Sequence, residues 1–242
     1  MKNLKVHIVS DTVIDFISNF LIKASSKRLD CTVAPYNQVT QVLLSKEESE
    51  NLFLWTSPDL QCPKYSKLLA FEEVSLEEIL QEVLQFSELI KAASKKYDSI
   101  FMMSWIFPPE KHWPLVMSTK SAKGAMDILN RMNIYLSEKL QDTQNFHLID
   151  QTTLIYNFNK SIHDPRLYAL GRIRYSLEYL NYVAENVHHL ITATVDPTRK
   201  IIICDLDNTL WGGIIGDDGI DGIKIGGNDP IGEAHLLLQK EL

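Results

Sequence analysis

Cysteine is scarce in this chain: its 242 residues hold three, Cys31, Cys62 and Cys204. They are widely spaced, odd in number and part of no metal or redox motif. That excludes a disulfide framework and points to a reduced, cytoplasmic setting. Long apolar runs are missing too, and none approaches the roughly 18 residues a membrane span requires. Asp11 and Asp15 interrupt the apolar start, so no signal peptide is expected. Positive charge is in deficit, with 24 Lys and Arg against 31 Asp and Glu and a net charge of −7. The bases are scattered, and Lys95-Lys96 is too short to make a patch, which argues against nucleic-acid binding. Internal repeats and low-complexity tracts are absent.

What is present is an ordinary globular composition, 45% hydrophobic and 23% charged. The length suits one large domain, or one domain plus a piece, with room for a sizeable core. Short apolar runs at Leu4–Val9, Cys31–Ala34, Leu52–Trp55, Ser99–Trp105 and Phe146–Asp150 read as strands. Between them lie helical patterns: Val13 to Leu21, Val39 to Leu44, Ser75 to Lys95, and Ala125 to Leu140, with Met126, Leu129, Ile134 and Leu136 for burial. Ser75-Leu76-Glu77-Glu78 is a capping box. Residues 57–74 read as a loop with a turn of structure, and Phe107-Pro108-Pro109 to Pro114 as a second loop. A single long helix is expected from about Leu167 to Thr192, with Leu170, Ile173, Leu177, Leu180, Val187 and Ile191 as its seam. Asp196-Pro197-Thr198 would end it and form a linker. Strands alternating with helices imply a right-handed parallel sheet covered on both faces. The expectation is a three-layer, flavodoxin-like α/β domain with a five-stranded parallel sheet over residues 1–195, then the start of a second α/β domain over 196–242.

The most informative stretch is Ile201-Ile202-Ile203-Cys204-Asp205-Leu206-Asp207-Asn208-Thr209-Leu210-Trp211-Gly212-Gly213. Three consecutive Ile read as a buried strand of a parallel sheet. In an extended segment Asp205 and Asp207 project to the same side, while Cys204 points the other way, into the helix layer. Two acids so placed repel unless a cation lies between them or one carries a proton. A hard cation such as Mg²⁺ can be held by carboxylates together with phosphate oxygens, and an Asp beside it can act as a nucleophile toward phosphorus.

Asp205-Leu206-Asp207-Asn208-Thr209 resembles motif I of the haloacid dehalogenase (HAD) superfamily of phosphatases and phosphotransferases. The continuation through Leu210-Trp211-Gly212-Gly213 to Gly219 is similar to its FkbH-like branch, subfamily IIIC. The resemblance implies that Asp205 is the phosphoryl-accepting nucleophile and binds Mg²⁺. It makes Asp207 the general acid/base, which gives the metal its backbone carbonyl. Thr209, with Asn208, Gly212 and Gly213, would support the phosphate loop. Ile214-Ile215 and Ile223-Lys224-Ile225 read as two short strands joined at Asp218-Gly219, a hairpin signal that looks like the flap over a HAD site. A helix then begins near Gly232. The family's motif II Ser or Thr, motif III Lys and motif IV acidic pair would all follow Leu242, so the resemblance implies a HAD domain truncated after motif I and inactive alone.

FkbH-like proteins also carry an N-terminal region resembling the SGNH-hydrolase fold, and the strand placement in residues 1–195 agrees. Where such an esterase shows Gly-Asp-Ser, this chain has Ser10-Asp11-Thr12. Where it shows Asp-x-x-His, this chain has Asp164-Pro165-Arg166-Leu167. Thr12 would be a degenerate nucleophile position without its histidine base, and a hydroxyl without a base is close to inert. The resemblance covers nearly the whole chain but is specific only near residues 201–226.

Three readings follow. The first is the N-terminal part of a Mg²⁺-dependent phosphatase or phosphotransferase. Its substrate would be a phosphorylated small molecule, of the glyceryl type used to load an acyl carrier protein in polyketide or polysaccharide biosynthesis. The second is a non-catalytic SGNH-like module that binds a carrier protein or a partner HAD domain, and the third an SGNH esterase. Other candidates read as structure. His147 sits in an apolar strand as a core histidine. His188 and His189 diverge by about 100° and cannot share a metal. Trp105 and Trp113 either line a pocket or pack plainly, and Asp217, Asp218 and Asp221 form a solvated turn.

Overall fold

Five segments of four to seven residues pair in parallel to form one sheet. The computed structural model describes residues 3–45, 49–194, 201–227 and 229–242. The chain divides into two compact units, Met1–Val195 and Asp196–Leu242. In chain order the first unit holds β1 (Leu4–Ser10), α1 (Phe16–Ala24), β2 (Leu29–Val33), α2 (Val39–Leu44) and β3 (Ser49–Trp55). Next come α3 (Pro58–Gln61), α4 (Pro63–Leu69), α5 (Leu76–Ser94), β4 (Tyr97–Met103), α6 (Leu115–Ser118) and α7 (Ala125–Leu140). It closes with β5 (Phe146–Ile149), α8 (Gln151–Asn157), α9 (Pro165–Gly171) and α10 (Leu177–Ala193).

The strand order is β2-β1-β3-β4-β5, parallel throughout. The expected five-stranded parallel sheet is therefore the one observed. Period-two alternation divides the interior strands between two cores. Leu52, Leu54, Ile100 and Met102 face a layer with Ile79, Val83 and Phe86 of α5 and Ile128 and Met132 of α7. Phe53, Trp55, Phe101 and Met103 face the opposite layer, with Ile17 and Leu21 of α1 and Leu180, Val183 and Val187 of α10. Burial on both faces explains why these strands read as continuous apolar runs. The α5 capping box forms as its sequence requires: Glu78 N–H donates to Ser75 Oγ at 3.2 Å, and Ser75 N–H to Glu78 Oε2 at 3.0 Å. The chain leaves β1 toward β2 in one direction and β3 toward β4 in the other, so the order reverses between β1 and β3. In open α/β sheets a crevice forms at that point, beyond the carboxyl ends of the strands.

Several local expectations need correction. Residues 57–74 hold more than one turn of structure: Pro58 and Pro63 start α3 and α4, at the helix positions where a missing N–H costs nothing, and only 70–74 run on as loop. The long helix is two helices. Gly171 ends α9, Arg172 adopts φ 55°, and Ser176 restarts the chain by capping Tyr179 N–H. Leu170 is 86% exposed and Ile134 58% exposed, so neither joins a core. His147 is exposed on the edge strand, its ring 5.0 Å from that of Phe101. His188 and His189 do not diverge; their rings pack at 3.7 Å. Trp105 is core, with Nε1 donating to Thr56 Oγ1 at 2.9 Å and its ring stacked on Phe86. No helix among the described residues is long and apolar enough to cross a membrane.

In the second unit, residues 201–205 form no strand, and Ile201, Ile202 and Ile203 are 79%, 65% and 93% exposed. A strand exists through its ladder, and the bridges described in this unit, Asp207–Trp211 and Gly212–Lys224, leave those residues unpaired. Cys204 is half-buried rather than turned into a helix layer. The expected flap hairpin is instead α11 (Ile215–Gly222), kinked where Gly219 takes φ 68°. Asp218 causes this: its N–H donates to Ile214 O at 2.8 Å and its Oδ2 accepts Ile214 N–H at 2.8 Å, winding the segment into a turn. Then α12 (Pro230–Glu241) follows, capped by Asp229. The Asp196-Pro197-Thr198 linker lies outside the described residues.

Candidate functional site

The Asp205–Gly213 segment is a loop closed on itself. Leu206 O accepts the N–H groups of Thr209 and Leu210, at 3.2 and 2.9 Å. Asn208, at φ 55°, closes the other side, its Oδ1 accepting Gly213 N–H at 2.9 Å and its N–H donating to Gly213 O at 3.2 Å. Gly213 itself has φ 101°, and a Cβ there would lie 2.9 Å from Asp218 Oδ2, so only glycine fits without strain. Gly212 exchanges both backbone bonds with Lys224, at 3.0 and 2.8 Å.

The two acids have different surroundings. Asp207 is half-buried, with Oδ1 accepting Trp211 Nε1–H at 3.0 Å and Ile215 N–H at 3.2 Å. Asp205 is exposed and turns one oxygen back onto Leu206 N–H at 2.8 Å. Thr209 joins the site through its carbonyl, which accepts His235 Nδ1–H at 2.8 Å; Gln239 donates to the carbonyl of Leu210 next to it. His235 and Gln239 stand four residues apart, on one face of α12. Sequence reasoning missed this pair, whose only signal was that i, i+4 spacing. Both acids offer the oxygen donors that Mg²⁺ prefers, and in that respect they fit the ion. They supply two carboxylates, and no group of three His, Cys, Asp or Glu that could hold a metal occurs among the described residues.

In the first unit the crevice at the strand reversal is filled with polar groups. Asp11, just after β1, is wholly buried, and its two oxygens accept Ser57 N–H, just after β3, at 3.1 and 3.0 Å. Gln61 Nε2 donates to Asp11 Oδ2 at 2.7 Å. Burial pushes the Asp11 carboxyl up to about 7, against the pull of the Ser57 and Gln61 bonds and of the Arg174 charge. Arg174 holds Asp59 bidentately, Nη1 to Oδ1 at 3.0 Å and Nη2 to Oδ2 at 3.1 Å. Its Nη2 also lies 2.8 Å from Glu110 Oε1. The three side chains are only 6–7% exposed. Asp59, Glu110 and Arg174 come from three distant segments, so no local pattern could have announced them.

Thr12 is buried, 3.1 Å from Ser10 Oγ, which in turn donates to Trp55 O at 2.6 Å. His163 donates Nδ1–H to Arg174 O at 2.7 Å and makes no recorded contact with Thr12. A cleft of about 620 Å³ between α7 and the end of β5 is lined by Ser104, Asn133, Ser137 and Asp150, and none of the buried charged groups lines it.

No family model matches the chain, and no curated protein matches it. Among solved structures it is similar to the N-terminal part of the protein BF1531 from Bacteroides fragilis, described as containing a phosphatase domain complexed with Mg. Identity is 22% and the TM-score 0.80, covering 100% of this chain and 65% of that one. This chain thus spans less than two thirds of that relative. It is also similar to a lipase/acylhydrolase from Enterococcus faecalis, at 9% identity and TM-score 0.51, covering 83% of this chain and 100% of that one. A catalytic mutant of Axe2, an acetylxylan esterase from Geobacillus stearothermophilus, matches at 10% identity and TM-score 0.50, covering 83% and 99%. The shared feature is an α/β fold with a five-stranded parallel sheet flanked by helices.

Proposed function

We propose that the chain is the N-terminal part of a Mg²⁺-dependent phosphatase or phosphotransferase of the HAD type. The observation that carries this reading is the closed loop bearing Asp205 and Asp207. The similarity to a phosphatase-domain protein crystallised with Mg supports it. Mg²⁺, when bound by Asp205 and Asp207, would neutralise charge on phosphoryl oxygens. Asp205, exposed and acceptor-only, attacks phosphorus, and the bond to the leaving oxygen breaks. Asp207 delivers the proton to that oxygen and then takes one from the water that hydrolyses the aspartyl-phosphate. Its Oδ1 is occupied by Trp211 and Ile215, which leaves Oδ2 to carry the proton. His235 and Gln239 hold the loop's carbonyls and so keep the acids in register. The substrate on this reading is a phosphorylated small molecule of glyceryl type destined for an acyl carrier protein, in a biosynthetic pathway of the cytoplasm.

The test is p-nitrophenyl phosphate hydrolysis with Mg²⁺. The 242-residue chain presents only the motif I pair and should show no turnover, because losing even one preorganised electrostatic contact costs on the order of a hundredfold or more. Joined to sequence supplying motifs II to IV it should turn over, and Asp205→Asn should abolish that. Asp205-dependent turnover by the short chain would show that motifs II to IV are not needed, and persistent turnover after Asp205→Asn in the longer one refutes the proposal.

A second reading applies to the first unit, which we take to be a non-catalytic binding module. Thr12 supports this, because its hydroxyl is engaged with Ser10 and has no histidine partner among the described residues.

A further inference from the structure

The first unit carries a buried ion cluster that the proposed phosphatase chemistry does not use, and one member of it is out of balance. Asp59 alone neutralises Arg174 through two parallel hydrogen bonds. Glu110 is therefore a second acid on a guanidinium whose charge is already matched. Its side chain is 6% exposed, yet neither carboxylate oxygen has a hydrogen-bond partner among the described residues. The 2.8 Å approach to Arg174 Nη2 is a charge contact without hydrogen-bond alignment. Buried carboxylates are normally paired and hydrogen-bonded because desolvation is costly otherwise. Glu110 is thus held in place mainly by the loop that carries it.

That loop, residues 104–114, leaves the carboxyl end of β4, at the sheet edge where ligands of open α/β folds bind. Its first residues are anchored, Trp105 by Thr56 and Asn133 and Ile106 and Phe107 by packing on the two cores, and farther along, besides the Arg174 contact, the Trp113 ring stacks on Phe71 at 4.5 Å. At the same edge, Gln151 just after β5 is completely buried, and both ends of its amide lack a partner. The Tyr179 hydroxyl is likewise buried and unpaired. The amide lies close enough to the Tyr175 and Tyr179 hydroxyls to interact with each, so a ligand group would compete with them for it. Trp55, the last residue of β3, donates Nε1–H to Tyr175 OH at 3.3 Å, which fixes this group to the strand ends.

We infer that Arg174 is the anion-recognising residue of a ligand site at the carboxyl edge of the first unit's sheet, and that Glu110 occupies the anion's seat in the free protein. The ligand would carry a carboxylate or phosphate to displace Glu110, and neutral hydrogen-bonding groups to meet Gln151 and Tyr179. Its arrival swings residues 109–114 outward and breaks the Trp113–Phe71 stack, while Ile106 and Phe107 stay packed on the two cores. No residue of the Asp205 loop takes part, so this site stands or falls separately from the phosphatase reading.

Glu110→Gln keeps the shape and removes the competing charge, and it leaves the Arg174–Asp59 pair intact, so the variant should fold. Inorganic phosphate and acetate are titrated separately by calorimetry into the full chain and the variant, with hydrogen exchange locating the binding. The expected result is at least tenfold tighter binding of one of the two anions by Glu110→Gln. It should come with new protection at residues 57–61 and 172–176 and faster exchange at 109–114. Tighter phosphate with unchanged acetate would assign a phosphoryl ligand, and the reverse a carboxylate. Adding Arg174→Lys, which keeps the charge but loses the planar fork, should remove the gain. Equal affinities in the full chain and Glu110→Gln, or protection confined to residues 205–215, would overturn the inference.

Discussion

Asp11 allows a sharp test of the first unit's electrostatics. Its carboxyl sits at about 7 in the folded chain, raised by burial from the ordinary 3.8. The unfolded chain therefore releases this proton near pH 4, while the folded chain keeps it to about pH 7. Between those values the folded state binds more protons, so stability falls as pH rises and the full penalty is present above pH 7. Each tenfold difference in proton affinity is about 1.4 kcal/mol, which makes the whole penalty about 4 kcal/mol, of which about 2.5 kcal/mol develops between pH 5 and 8. Asp11→Asn removes the titration but retains an oxygen to accept Ser57 N–H, and the Gln61 amide can turn to face the new NH₂. The assay is urea unfolding of the full chain and of Asp11→Asn at pH 5, 6, 7 and 8, read by tryptophan fluorescence. Other titrating groups cancel in the difference. The variant should gain on the parent by about 2.5 kcal/mol across that range, or about 5–10 °C in melting temperature. Parallel pH profiles for the two proteins would refute the claim that burial dominates the Ser57, Gln61 and Arg174 interactions at Asp11.

The remaining predictions are simpler. Ser75→Ala breaks the α5 capping box and should cost about 1 kcal/mol in urea unfolding; a loss below a few tenths would mean the first turn of α5 contributes nothing. Short p-nitrophenyl acyl esters should not be turned over, because Thr12 has no histidine partner among the described residues. Hydrolysis abolished by Thr12→Ala would restore the esterase reading of the first unit.

The first unit was legible because its sheet is local in pattern and buried on both faces. A run such as Ser99–Met103 suits a strand buried on both faces, and the helical segments between the runs supply the crossovers that make the sheet parallel. Helix starts carried by single residues, such as Ser75, were equally readable. The cluster at the carboxyl edge was not. Asp59 and Arg174 are 115 residues apart, and their pairing follows from two local features: the helix start at Pro58, which places Asp59 in the first turn of α3, and the left-handed Arg172. Both were hidden inside segments read as one loop and one long helix. The left-handed turn at Arg172 carries little signal in sequence, yet it turns Arg174 and Tyr175 inward toward the strand ends.

The second unit shows the opposite limit. Ile201-Ile202-Ile203 has the composition of a buried strand, but that status is a property of a pair, because the free energy comes from ladder bonds and from a covering layer. Among the described residues of that unit no segment offers either, and the three side chains stand in solvent. The Asp205–Gly213 loop needs no such partner. Its closure by Asn208, Gly213 and Lys224 is short-range, and the one distant contribution, His235 and Gln239, comes from a helix about 25 residues downstream with a cap of its own. The loop's shape is therefore set by residues within the unit, whereas the strand that would present it depends on a neighbour. That difference puts the shape of the acid-bearing loop under local control, while residues 201–204, without a ladder partner among the described residues, have nothing to make them a strand.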